Sequence, residues 1–149
     1  MKTLRKMYDH LNWANQCILK TLQSKEYENQ EVSRLFSHIL LAEKVWITRL
    51  NGLDSSGLPI WSDVNIDECS ELVKQNEESF REFLINLKNS DLDKLIIYTN
   101  SKGQEFKSTI EEILTHIALH GQYHRGQINI RLRDLGFEPV HLDFITFVR

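Results

Sequence analysis

Cysteine is scarce in this sequence. Cys17 and Cys69 are the only two and show no CxxC spacing, so neither a disulfide framework nor a zinc ribbon is suggested, and both read as reduced thiols. Long hydrophobic runs are missing as well. Lys2, Arg5, Lys6, Asp9 and His10 interrupt the N-terminal stretch, where a signal peptide or membrane span would need an unbroken apolar segment. The expectation is a cytoplasmic protein with no membrane partner. Lysine and arginine do not cluster on one face, and a net charge of −3 with a pI near 6.1 leaves no electrostatic footprint for nucleic acid. Several catalytic signatures are absent too. No histidine is followed by glutamate, which excludes the HExxH zinc-protease pattern, and there is no GxSxG nucleophile elbow. Di-iron bundles need a Glu-x-x-His pair on each of two helices; the one such string, Glu138-Pro139-Val140-His141, lies around a proline. There is no internal repeat and no low-complexity segment.

What is present suits one domain spanning residues 1–149, long enough to bury a core without disulfides. Hydrophobic residues make up 41% and charged ones 26%, too apolar for a disordered chain. Leu4, Met7, Leu11, Ala14, Ile18 and Leu22 recur at steps of three and four, predicting a helix that runs to about Ser24. Val32, Leu35, Phe36, Ile39, Trp46 and Leu50 mark a second, ending at Asn51-Gly52. Asp54 to Asp63 reads as a long crossover loop. A third helix carries Cys69, Leu72, Val73, Asn76, Phe80, Phe83 and Leu87 on one side. Next, 95–99 and 105–107 flank a turn near Gly103, which suits a short hairpin packed on the helices. Thr109 and Glu112 form a capping-box pattern that starts a fourth helix, and Gly136 and Pro139 stop it near Leu135. The apolar tail from Asp143 to Val148 should dock on the domain. The fold class is all-α, a four-helix bundle, whose ligand sites usually lie between facing helices.

Such a site has candidates. His120 and His124 lie one turn apart on the fourth helix and share a face with Ile113, Ile117 and Ile128, the stripe expected to point inward. Two imidazoles so placed can share a metal ion; buried without partners they would be costly. Gly121 on that side would let a neighbouring helix come close, against a helix-propensity cost of about 1 kcal/mol. A pair is an incomplete site, and His38, on the flank of the second helix's apolar stripe, is the best third ligand. Three neutral imidazoles leave a coordination position open, as in catalytic rather than structural zinc sites. The competing reading is coincidence: a histidine pair at this spacing, or a lone His38, also occurs as ordinary hydrogen-bonded core. His116, one turn earlier, reads as packing or as an outer partner of the site. His10 and His141 read as solvated.

The strings Trp13-Ala14-Asn15, His38-Ile39-Leu40-Leu41-Ala42-Glu43 with Trp46, and His120-Gly121-Gln122-Tyr123-His124-Arg125-Gly126-Gln127 resemble those of the DinB family of damage-inducible proteins over nearly the whole chain. The name is shared with an unrelated DNA polymerase, whose acidic metal site has no counterpart here. The resemblance implies an up-down-down-up four-helix bundle, a homodimer, and one divalent metal ion on the triad His38, His120 and His124. Zn or Ni are the foremost candidates, and Fe or Mn also suit the ligands. Relatives in the broader superfamily include transferases and isomerases that use bacillithiol, mycothiol or glutathione.

Three functional readings follow. In the leading one the protein is a thiol S-transferase: a low-molecular-weight thiol binds the open metal position, loses its proton and attacks a small electrophile. Gln127 is then a candidate contact to substrate or to a ligand imidazole, and Arg125 a candidate partner for an acid such as Glu43; structural roles for both stand beside these. In the second, metal-activated water hydrolyses an amide or ester, with Glu43 a weak general base five positions after His38. In the third, a noncatalytic stress-response protein uses the metal for stability, with Cys17 a possible fourth ligand, though Cys17 reads more readily as a small buried hydrophobe.

Overall fold

Apolar residues at helical spacing build each element of the computed structural model, which describes residues 1–24 and 29–149. Helix α1, Lys2–Ser24, buries Leu4, Leu11, Ala14 and Ile18. Helix α2, Gln30–Leu50, starts where the Asn29 side chain accepts from the Val32 amide and is followed by Gly52 at φ 70°, a conformation that favours glycine. Helix α3, Ile66–Asn86, is opened by a capping box of Asn65 and Glu68. Strands β1, Leu95–Thr99, and β2, Glu105–Thr109, pair antiparallel with Leu95 opposite Thr109 and Thr99 opposite Glu105. The Thr109–Glu112 capping box then launches α4, Ile110–Asp134, as the sequence pattern requires. A short helix, α5, Phe144–Phe147, closes the chain.

Contacts fix the directions of the four long helices. Helix α1 runs antiparallel to α3, because Arg5 donates to the Leu84 carbonyl (3.2 Å) and Gln16 to Glu77 (2.9 Å). It runs parallel to α4: Tyr8 donates to the Leu114 carbonyl (3.1 Å) and Arg125 to Asn15 Oδ1 (2.8 Å). Ser37 lies beside Cys69 and Glu43 accepts from Asn76, so α2 and α3 are parallel. His38 faces His124 while Trp46 faces His116, so α2 and α4 are antiparallel. The bundle is therefore up-down-down-up, and the segment from Asn51 to Asn65 is the crossover that lets α3 repeat the direction of α2.

The core has two apolar layers. One gathers Leu4, Tyr8, Leu11, Ile47, Phe80, Leu84, Ile113 and Ile117; the other Ala14, Ile18, Phe36, Leu40, Cys69, Val73, Ile128 and Leu132. Between them each helix contributes one buried polar residue: Asn15 from α1, Glu43 from α2, Asn76 from α3 and Arg125 from α4. His38 precedes Glu43 on α2, and His120 and His124 precede Arg125 on α4.

One expectation is corrected here. His10 is not solvated; it is 6% exposed. The tail docks over it as its apolar character predicts, adding Phe144 and Phe147 to Trp13 of α1 around the ring, and His10 Nε2 meets the Leu142 carbonyl at 2.7 Å. A carbonyl only accepts, so Nε2 carries the proton. His141 is exposed as expected.

Candidate metal centre

Antiparallel packing of α2 on α4 brings His38 against His120 and His124. One nitrogen of each ring lies within 4.8 Å of the others, and the Nε2 atoms of His38 and His120 are 3.1 Å apart. Two nitrogens binding one tetrahedral zinc at about 2.0–2.1 Å would stand roughly 3.3 Å from each other. The His38–His120 pair is therefore already spaced as two ligands of one ion would be, and His124 is close enough to complete the group. His38 is buried, and His120 and His124 are half-buried.

The remaining ring nitrogens show which atoms are free to ligate. His38 Nδ1 lies 3.0 Å from the Ile60 carbonyl, and His124 Nδ1 lies 2.6 Å from Gln127 Oε1. Both oxygens accept, so both Nδ1 atoms carry the proton and both Nε2 atoms present lone pairs. A simple hydrogen bond between His38 and His120 would leave His124 unexplained. A divalent cation uses all three. Burial lowers the pKa of His38, and burial followed by the neighbouring His124 and His38 lowers that of His120 to about 4. Neutral imidazole is the form that binds metal.

Trp61 is a part of the centre that sequence reasoning missed. It leaves the crossover loop and stacks flat on His38, with centroids 3.6 Å apart and planes at 2°, while the guanidinium of Arg34 lies over the indole at 5.4 Å. A tryptophan inside the crossover loop was the available signal. His116 stays outside the ligand group: exposed at the edge, it packs against Trp46 (5.2 Å) and neighbours His120 (5.5 Å). Cys17 packs against the apolar layer and is not part of the group.

Behind the histidines lies the polar layer. Asn15 Nδ2 donates to both Glu43 oxygens (2.9 and 3.1 Å), Asn76 Nδ2 donates to Glu43 Oε2 (3.1 Å), and Arg125 Nη1 donates to Asn15 Oδ1. The expected pairing of Arg125 with Glu43 is thus indirect, with Asn15 between them. Burial raises the Glu43 pKa against the opposing pull of Asn15, Arg125 and Asn76. Gly121 also has a different role from the one its sequence position suggests. A Cβ there would meet Arg125 Nη1 at 2.9 Å, so the missing side chain makes room for a guanidinium of its own helix rather than for a neighbouring helix.

A description of the DinB family matches residues 1–149. The chain belongs to the DinB family. It is similar to Protein DinB of Bacillus subtilis (strain 168), 29% identical over 154 residues that cover 93% of this chain and 90% of that protein. In this DinB-family structure the strings behind the resemblance converge. Asn15 and Glu43 form the polar layer with Arg125, while His38, His120, His124 and Gln127 form the centre in front of it.

Proposed function

We propose that this protein is a metal-dependent S-transferase that joins a low-molecular-weight thiol to a small electrophile, with one divalent ion, Zn or Ni foremost, on His38, His120 and His124. The observation that carries the reading is the donor set: three imidazoles whose outer partners, Ile60 and Gln127, hold two of them with Nε2 free. Three protein ligands leave a position open. When bound there, a divalent cation favours thiolate over thiol, and the thiolate is the nucleophile.

The protein's own groups prepare that chemistry. Ile60 and Gln127 hold the imidazoles in the ligating tautomer, and Trp61 covers one face of His38. In the transfer the sulfur forms a bond to carbon, the leaving group departs with its electron pair, and the thiol proton passes to solvent. Hydrolysis fits less well. Its best general base, Glu43, is 2% exposed and held by Asn15 and Asn76, out of reach of a water that it would have to deprotonate.

Elemental analysis of dialysed protein tests the centre first. Near-stoichiometric metal in wild type, lost in His38→Ala, His120→Ala and His124→Ala, is the expected result. Thiol consumption against a panel of electrophiles then tests the reaction. No turnover with any common thiol by metal-loaded protein would sink the transferase reading, and failure to bind metal would sink the centre itself.

A further inference from the structure

Beyond the histidines, toward the C-terminus of α2, a cleft of about 530 Å³ opens between α2, the crossover loop and the hairpin. Val45, Arg49, Ser55, Ile60 and Tyr98 line it. Arg49 is its one basic residue. The guanidinium lies over the rings of Trp46 (4.7 Å) and Tyr98 (5.0 Å), while Nε donates to Ser55 Oγ (3.0 Å) and Nη2 to the Thr99 carbonyl (3.1 Å). Those two bonds use only part of a fork that carries five N–H groups. Among the described residues no carboxylate pairs with it. Asp54, the acid that lines the cleft, is turned to its own loop and accepts from the Ser56 amide and hydroxyl. Partial burial disfavours the Arg49 charge, and a planar cation held against two aromatic rings is suited to a carboxylate.

The cleft adjoins the metal centre. Ile60 is shared: its side of the loop lines the cleft, and its carbonyl holds His38 Nδ1. Arg49 follows His38 by three turns, about 16 Å along the helix axis. Its guanidinium leans back over Trp46, toward the helix N-terminus and the histidines. A ligand that reaches both must be extended, roughly 10 Å long, the span of about three residues.

We infer that this cleft receives the acidic end of the thiol cosubstrate: an extended thiol of about tripeptide length whose carboxylate, remote from sulfur, binds Arg49. The inference rests on the thiol-transfer reading for the sulfur end only; the anion site belongs to the cleft.

Cobalt-substituted protein provides the test, because a thiolate-to-cobalt charge-transfer band reports thiol binding without turnover. Glutathione is expected to bind at least about tenfold more tightly than its diethyl ester, as one charge-assisted pair implies. Arg49→Gln should erase that preference and leave 2-mercaptoethanol affinity unchanged. Equal affinity for acid and ester, or a preference that survives Arg49→Gln, overturns the inference. Should no thiol give a band, the transferase reading fails instead, and the cleft is tested in metal-free protein through tryptophan fluorescence, since Trp46 lies against Arg49. Glutarate is expected to change it saturably in wild type and not in Arg49→Gln; no saturable change overturns the anion site. If Arg49→Gln does not fold by circular dichroism, Arg49→Lys, which keeps the charge but loses the planar fork, should weaken glutarate or glutathione binding by roughly tenfold, and unchanged binding counts against the inference.

Discussion

Replacing Asn15 by leucine isolates the polar layer, because the two side chains have the same number of heavy atoms branched at Cγ and the change removes hydrogen bonds rather than creating a cavity. Asn15 makes two charge-assisted contacts and is the residue that touches both charges: its amide donates to the Glu43 carboxylate, and its carbonyl accepts from Arg125. Each bond to a charged group contributes about 1.5–3 kcal/mol. The sum, about 3–6 kcal/mol, agrees with the 3–5 kcal/mol typical of breaking a buried ionic arrangement. Asn15→Leu should therefore lose roughly 3–5 kcal/mol in urea unfolding of metal-free protein at pH 7. Asn76→Leu, which removes one bond to Glu43 and one to the Leu40 carbonyl, should lose about half as much.

The pH dependence sharpens this expectation. Burial raises the folded-state pKa of Glu43 above its ordinary value of 4.5. For a raised carboxyl, the associated stability is fully present below the unfolded pKa and is lost as pH rises through the folded one. Removing Asn15 strips donors from the charged form and raises that pKa further. The deficit of Asn15→Leu relative to wild type should accordingly shrink as pH falls from 7 toward 4.5, and Glu43→Gln added to Asn15→Leu should recover part of the loss. A deficit under about 1 kcal/mol, the value of an ordinary neutral hydrogen bond, or one indifferent to pH, would refute the view that Asn15 mediates between two buried charges.

Other perturbations give independent checks. His10, His38 and His120 have pKa values lowered by burial from 6.5, His120 to about 4; the folded state resists protonation that the unfolded chain accepts. Thermal stability of metal-free Glu43→Gln protein, in which the opposing carboxyl is absent, should thus be flat above pH 6.5 and fall steadily toward pH 4, and a midpoint that rises on acidification contradicts the assignment. Gln127→Leu, which frees His124 Nδ1, should weaken metal binding by about 10–100-fold with little change in melting temperature of the apo form, as measured by competition with a chelator. Gly121→Ala gains up to about 1 kcal/mol of helix propensity yet displaces a guanidinium that is 1% exposed. Its net effect should be a loss of about 1–3 kcal/mol, and a stabilised variant would show that Arg125 moves aside freely.

Much of the architecture was legible because it depends on local chemistry. Periodic apolar residues, the Thr109–Glu112 box and the glycines after α2 and α4 report on the helix in which they stand, and the structure follows them closely. The histidine cluster was legible for a related reason: His120 and His124 share a helical face whatever the rest of the fold does. What escaped depends on partners distant in sequence. His10 looks like a surface residue until the tail, some 130 positions later, folds over it. Trp61 sits in a loop whose path no periodicity predicts, and Arg125 reaches Glu43 only through an asparagine on a third helix. Gly121 gave a true signal, close approach, but the approaching group came from its own helix.

The polar layer also has a consequence for how the chain reaches its final form. Charge and countercharge arrive on different helices, α2 and α4, and the asparagines that reconcile them come from α1 and α3. Any partial assembly that excludes one helix strands a desolvated ion or leaves its hydrogen bonds unmade, whereas either apolar layer alone would tolerate such vagueness. The layer thus acts as a proofreading step in assembly: sliding a helix by one turn, or docking three without the fourth, is penalised at a single level of the bundle. Because His38 shares α2 with Glu43, and His120 and His124 share α4 with Arg125, helices held in register by the layer also hold the three imidazoles in register, and a misassembled chain presents no triad to capture a metal.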